Sequence, residues 1–368
     1  MTSHKLKLGF IGAGWWAAEY QMPWFAARAD VNLVAVCRLG KAELAYVQGK
    51  FGFAFASEDY RDLLAQDLDA VVVASPHALH HEHTLAALHG GKHVMVEKPM
   101  TVRAAHAREI RDLARANGLH VLVPQGWNFT RYVREARALV NNPTLTPSPK
   151  SEGVGIGEPR HIVCQMASAL GDLMAGQPMI ETAGQHFRPP ASTWADPHTG
   201  GYGYGQLAHA LGVMFALADV QPIDVSAFMG ASPSGADYYD AITVRFANGA
   251  TAAISGSATI PKSAGNDRSK GYQIDLRIFG SDGMLLLDVE RERCEIRRVD
   301  GNHTSIEMKP GDGDYPAAAP WETFVDLVLG RTHENPMDAT LGTKTIEVLE
   351  AAYRSASEGG RVVSIGEL

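Results

Sequence analysis

Cysteine is scarce in this chain. Its 368 residues hold three, Cys37, Cys164 and Cys294, too dispersed for any CxxC pair. That argues against a disulfide framework or a paired-cysteine zinc site and suits a reducing compartment. Positive charge is also in deficit: 33 Lys and Arg face 41 Asp and Glu, a formal net charge of −8. Such a balance disfavours a surface built to coat DNA or RNA. No apolar run approaches the ~20 residues needed to cross a bilayer. Lys5 and Lys7 precede the apolar LGFIGAGWWAA much as in a secretory signal, but Glu19 follows at once and there is no twin arginine. We therefore expect a soluble, cytoplasmic protein with a small-molecule partner, no nucleic acid and no membrane. What is present is an ordinary globular mixture, 45% hydrophobic and 20% charged, in a chain long enough for two domains.

KLGFIGAGWWA reads as a buried strand, Leu8 to Ile11, running into Gly12-Ala13-Gly14-Trp15-Trp16-Ala17, a G-x-G-x-x-A pattern. Gly12 permits a tight turn, Gly14 lets the backbone approach a pyrophosphate, and a small third residue allows close helix–strand packing. The next helix would turn free N–H groups toward the phosphates. NLVAVC, AVVVAS, HVMVE and HVLVPQ then read as strands. SEDYRDLLAQ (with Ser57 as cap), HTLAALHGG and RAAHAREIRDLARANG read as the helices between them. Such alternation implies a doubly wound parallel sheet of the Rossmann type, an α/β domain. An acid about 20 residues past the glycines would mark NAD, whereas arginine accommodates the 2′-phosphate of NADP. AVCRLGK supplies Arg38 and Lys41 but no acid. Arg38 has three readings: a 2′-phosphate contact, a stack on adenine, or a solvated turn. NADP is favoured over NAD on the first.

In GKHVMVEKPM, a short apolar run ends in Glu97-Lys98-Pro99. Ligands of such sheets bind beyond the carboxyl ends of the strands, which is where Lys98 falls. Adjacent strand residues face opposite ways, so Glu97 is expected to leave Lys98 unneutralised. Pro99 holds Lys98 extended. Desolvation against a nicotinamide ring would lower the lysine pKa and suit proton exchange with a substrate hydroxyl. His77 and His81 are four apart, and His80 and His83 three apart, spacings open to a metal. Without an HExxH pattern or cysteine ligands, a helix start beside a nucleotide is the simpler account and no metal is expected.

The order G-x-G-x-x-A, then SPHALHHEHTLAALHGGKHVMVEKPM, resembles the glucose–fructose oxidoreductase/inositol dehydrogenase (Gfo/Idh/MocA) family. Its signature pairs [T/S]-P-x-x-x-H with a later G-K-H-V and E-K-P. The resemblance implies that Ser75, Pro76, His80 and Glu97 line the cofactor cleft. It also implies that Lys98 touches both nicotinamide and substrate, across a Lys98–Pro99 bond that is often cis.

The resemblance extends beyond this domain. Residues 141–157, NNPTLTPSPKSEGVGIG, read as a loop. GEPRHIVCQMASAL, YDAITVRFANGATAAISGSA, YQIDLRIFGSDGMLLLD and CEIRRVDGN read as strands with Asn-Gly and Asp-Gly turns. We expect a domain at 1–130 and an α+β domain at 131–368 with a large open, mainly antiparallel sheet. A helix near 340–358 would pack back on the first domain. In the family such a sheet covers the active site and commonly supports oligomers, here a dimer or tetramer.

His209 follows the glycine-rich GGYGYGQLA, where the family places a catalytic histidine. Many members have an aspartate four residues earlier; here that position is Gly205, and Gln206 is expected to orient substrate. QGWNFTRY resembles a family segment that assigns Gln125 to the cofactor and Trp127 and Asn128 to the substrate mouth. Trp15, Trp16, Trp127, Trp194, Tyr202 and Tyr204 supply aromatic faces on which sugar rings stack. The expected activity is hydride transfer between NAD(P) and a secondary alcohol of a sugar, glycoside or polyol, with Lys98 and His209 handling the proton. The rivals are a dehydrogenase of a non-sugar alicyclic compound and a regulatory protein that only binds NAD(P).

Overall fold

Short apolar runs separated by helices build the first layer. The structure, a computed structural model, describes residues 5–140, 155–179, 182–260 and 271–368. Of the expected loop at 141–157, residues 141–154 lie outside them. In chain order come β1 (Leu6–Ile11), α1 (Met22–Ala26), β2 (Val31–Cys37), α2 (Lys41–Phe51), β3 (Phe55–Ser57) and α3 (Tyr60–Leu64). They continue with β4 (Ala70–Val73), α4 (His80–His89), β5 (His93–Val96), α5 (Ala104–Asn117) and β6 (Val121–Leu122). The six strands are parallel in the order β3-β2-β1-β4-β5-β6. The order reverses between β1 and β4, and the carboxyl ends diverging there leave the crevice in which this fold binds ligands. β4 is buried along its whole length, as a central parallel strand must be.

Two local expectations change. The cap of α3 is Asp59, whose carboxylate accepts from Arg61 N–H, while Ser57 ends β3, an edge strand of three residues too short to leave a periodic signal. The helix after the glycine turn winds as a π turn over Ala17–Gln21 before α1 begins.

The second layer comprises α6 (Arg131–Val140), β7 (Pro159–Ser168), α7 (Gly171–Met174), α8 (Ala191–Trp194), α9 (Ala208–Leu217), β8 (Pro222–Ala231), β9 (Asp237–Phe246) and β10 (Thr251–Ser257). After these come β11 (Tyr272–Gly280), β12 (Gly283–Asp288), β13 (Arg293–Arg298), β14 (His303–Ile306), α10 (Ala318–Val328), α11 (Ala339–Ser357) and β15 (Val363–Ser364). Nine strands form one sheet, β14-β13-β12-β11-β7-β10-β9-β8-β15, antiparallel except for the β7–β10 pair. α9 is apolar on every side and buried at all ten positions, so it is a core helix. α11 spans the two layers: Arg108 of α5 donates to Glu347 at 2.8 Å, and the Thr343 hydroxyl to the Ala107 carbonyl at 3.2 Å.

Candidate active site

The glycine turn after β1 is built as its chemistry requires. Gly12 has φ +98°, and a Cβ there would lie 2.4 Å from the Ala74 carbonyl carbon, so β1 and β4 approach this closely only around glycine. Gly14 is the opposite case. A Cβ there meets no atom within 4 Å, and the residue faces open cleft. That open flank is the space a pyrophosphate needs against the backbone. Trp15 and Trp16 line the same end. The Trp15 indole donates to Gln185, and Trp16 lies 4.6 Å from the Tyr20 ring.

At the end of β2, Arg38 donates through Nε to the Leu39 carbonyl and through Nη1 to that of Ala13, and its guanidinium sits 4.7 Å over Phe187. The sequence offers no acid here, but the fold brings one. Glu58 lines the cleft and accepts from Gly40 N–H at 2.8 Å. Nothing in the local spacing could have found it, because β3 intervenes.

Glu97 and Lys98 lie just past the last residue of β5, where strand alternation no longer separates them. Both line the cleft, where strand alternation alone would have parted them. Burial pushes the Glu97 carboxyl up, against the pull of Lys98 and of the Gln21 amide that donates to it at 2.7 Å. Burial pulls the Lys98 ammonium down, and Glu97 opposes that shift. Lys98 Nζ donates to the Gly205 carbonyl at 2.7 Å and rests 4.6 Å over Trp194. The Lys98–Pro99 peptide is cis. His80 braces the floor, with Nδ1 2.7 Å from the Pro99 carbonyl and Nε2 2.8 Å from that of Ser75. His83 reaches the Ser75 hydroxyl at 2.9 Å, and His77 the Thr199 carbonyl at 2.7 Å. Among the described residues, no group of three or more His, Cys, Asp or Glu is placed to hold a metal ion.

His209, in the first turn of α9, lines the same cleft as Lys98. Its pKa is pushed well below the usual imidazole range, by burial first and then by the Lys98 charge, so the ring is neutral. Its Nδ1 is buried without a hydrogen-bond partner among the described residues. The edges of Trp127 and Tyr315 pack around it at 5.5 and 5.3 Å between ring centroids. Gln206, Trp194 and Tyr272 complete this wall. Tyr272 and Tyr315 carry no local signal, since they arrive from β11 and the approach to α10.

Gln125, Asn128, Tyr204 and Tyr202 are corrections, because none lines the cleft. A Cβ on Gly212 would overlap the Gln125 amide oxygen, and Asn128 donates to the Gly212 carbonyl at 3.0 Å. Both residues therefore pack against α9 at Gly212, three residues past His209. Tyr204 donates to the Val102 carbonyl at 2.9 Å and stacks on Tyr353 at 4.5 Å, while Tyr202 is wholly buried.

The cleft encloses about 1120 Å³, beyond the ~300–1,000 Å³ typical of a site for one small ligand. It has room for a dinucleotide and a substrate together. Fold and cleft place the chain in the class of dinucleotide-binding α/β proteins.

Comparison narrows the class. Residues 6–125 match the oxidoreductase family with an NAD-binding Rossmann fold, and residues 155–286 the GFO/IDH/MocA C-terminal domain. The chain belongs to the GFO/IDH/MocA oxidoreductase family. It is 37% identical to the D-glucoside 3-dehydrogenase of Escherichia coli over 39% of this chain and 42% of that protein. A dTDP-3,4-didehydro-2,6-dideoxy-alpha-D-glucose 3-reductase of Streptomyces violaceoruber is 40% identical over 32% of this chain. The chain thus spans 42% and 34% of the lengths of these two relatives. The scyllo-inositol 2-dehydrogenase (NADP(+)) IolU of Bacillus subtilis is 25% identical over 93% of this chain and 94% of its own. Among solved structures, GenD2 from gentamicin A biosynthesis, in complex with NAD, superposes with a TM-score of 0.71 at 19% identity, covering 99% of this chain and 97% of GenD2. That last likeness is one of fold. No helix among the described residues is long and apolar enough to cross a membrane.

Proposed function

We propose that the protein is an NAD(P)-dependent dehydrogenase that moves a hydride between nicotinamide and a secondary alcohol of a sugar, glycoside or polyol. Oxidation of a glycoside ring hydroxyl to a keto-glycoside is the version we favour. One observation carries this reading. Lys98, at the mouth of β5, lines one cleft with the Gly12–Gly14 turn and the neutral His209, and its ammonium is held there by the Gly205 carbonyl.

The bound dinucleotide supplies the hydride acceptor or donor. The chain does the rest. The open flank of Gly14 accommodates the pyrophosphate, and Ser75, Pro76 and His80 form the floor beside it. Lys98, its pKa lowered by burial, takes the hydroxyl proton as a neutral amine on oxidation and returns it on reduction. The Gly205 carbonyl and the Trp194 face fix Nζ in direction. His209 and Gln206 orient the ring hydroxyls. Relatives named as a glucoside and an inositol dehydrogenase support the substrate class. NADP is the favoured cofactor, since Arg38 ties two of its nitrogens to backbone carbonyls and keeps Nη2 for a phosphate. Absorbance at 340 nm, followed across a panel of sugars, glycosides and polyols with each cofactor, tests the reading. Absence of turnover with every one would overturn it.

A further inference from the structure

We propose that the cleft carries an apolar subsite beside Lys98 that receives the uncharged, apolar aglycone of a glycoside, and that sugar acids, sugar phosphates and nucleotide sugars are poor substrates. The proposal rests on the dehydrogenase reading and narrows its substrate.

The distribution of charge in the cleft carries the argument. Among the described residues, its lining holds four residues of the Asp, Glu, Lys and Arg types: Arg38, Glu58, Glu97 and Lys98. The first two stand at the carboxyl ends of β2 and β3, the last two at the end of β5. The opposite wall, from Trp127 to Tyr315, holds none of these types among the described residues. An anionic substituent turned toward that wall would be desolvated with no lysine or arginine among its described residues to pair it, which is costly. Lys98 offers little compensation, because its ammonium is already bonded to the Gly205 carbonyl and stands beside Glu97.

That wall is divided. Gln206 and His209 offer hydrogen bonds close to Lys98, enough to hold the few hydroxyls around the reacting carbon. The segment carrying α7 and α8 brings Leu170, Leu173, Met179 and Trp194 into the same cleft. Trp194 joins the two parts: its face meets the Lys98 ammonium, and its ring lies 2.9 Å from where a Cβ on Gly205 would be. A ligand filling both parts is amphipathic, with a hydroxylated ring at Lys98 and an apolar group over Leu170 and Leu173. A free polyol would set its hydroxyls against Leu170, Leu173 and Met179, with Thr182 and Thr193 as the hydroxyl-bearing side chains of that segment. A glycoside with an apolar aglycone matches both halves.

The test compares a methyl and a phenyl glycoside of the same sugar and anomer with the corresponding glucuronide and 6-phosphate, on the cofactor-loaded protein. Burial of a phenyl ring predicts kcat/KM higher for the phenyl than the methyl glycoside by on the order of tenfold or more, with both anionic sugars far below. Leu173→Ala should reduce the phenyl-to-methyl ratio severalfold. Leu170→Gln, at a half-buried position, makes the same test should the first variant not fold. Equal use of methyl and phenyl glycosides, or efficient use of the phosphate, would overturn the subsite while leaving the dehydrogenase reading intact. Calorimetry on cofactor-loaded Lys98→Met separates the two in the other direction. Tighter binding of the phenyl glycoside without turnover in the unmodified protein would support the subsite and remove the dehydrogenase reading. Failure of either glycoside to bind would overturn the subsite.

Discussion

The Lys98 ammonium donates to the backbone carbonyl of Gly205 across 2.7 Å, joining the end of β5 to the loop that leads into α9. Gly205 stands four residues before His209, where many members of the family have an aspartate. A Cβ at this position would lie 2.9 Å from the Trp194 ring and 3.2 Å from the Met174 methyl, so an acidic side chain has no room. The lysine is held by a carbonyl and an aromatic face, and His209 keeps Nδ1 without a protein partner among the described residues. Among the described residues no aspartate pairs with His209, so in the proposed mechanism proton transfer falls to Lys98.

Lys98→Met retains the apolar stem but carries no exchangeable proton. We expect kcat to fall on the order of 10²–10⁴-fold, with dinucleotide affinity by calorimetry largely preserved. His209→Ala should also depress turnover. The double variant should lose less than the product of the single losses, since the two act on one proton. Near-normal turnover by folded Lys98→Met would remove the catalytic reading.

In the proposed mechanism Glu97 tunes the pH at which Lys98 exchanges its proton. Its carboxylate raises the Lys98 pKa against burial, so Glu97→Gln should lower that pKa further. Alcohol oxidation needs the neutral amine, so the rising limb of the kcat–pH profile should move to lower pH in the variant. A limb that stays in place, or moves upward, would exclude electrostatic control by Glu97.

Cofactor binding can be probed without harming the fold. A larger side chain at Gly14 meets no protein atom near its Cβ, so Gly14→Leu should melt normally yet weaken dinucleotide binding by about tenfold or more. Arg38→Ala should weaken NADP by about tenfold more than NAD. An equal loss for both would indicate adenine stacking, and no loss a solvated turn. Glu58→Gln, by contrast, should weaken NAD more than NADP, because a carboxylate at that place in the cleft would accept from a ribose hydroxyl but repel a phosphate.

Asp240 is buried beneath the Gly200–Gly205 loop, next to Asp237, which accepts from Gly203 N–H at 2.7 Å. Burial first, then Asp237, pushes the Asp240 carboxyl well above its ordinary range. The unfolded chain releases this proton in the normal carboxylate range and the folded chain keeps it. The stabilisation is therefore full at pH values below that range and is lost as pH rises toward the folded pKa. Asp240→Asn, permanently neutral, should gain melting temperature over the unmodified protein by about 2 °C near pH 8. Near pH 4 the gain should vanish. Equal shifts at both pH values would refute a retained proton.

The sequence by itself determined the strand–turn–helix at Gly12, the parallel sheet, the Glu97-Lys98-Pro99 floor and most strands of the second sheet. These are written in local patterns: apolar runs of strand length, glycines where φ is positive or a chain must approach closely, and turn residues between them. Packing decided the walls of the site. Trp194, Tyr272 and Tyr315 come from segments far apart in sequence, and Glu58 reaches the cofactor end only because β3 adds to the sheet edge. Gln125, Asn128 and Tyr204 neighbour true lining residues in sequence but point elsewhere, the first two into the groove left by Gly212 and the third against Tyr353. Side-chain direction at an irregular turn follows from which helix packs against it, and the seating of α9 between the large sheet and the Gly126–Phe129 turn is a tertiary event with no local code.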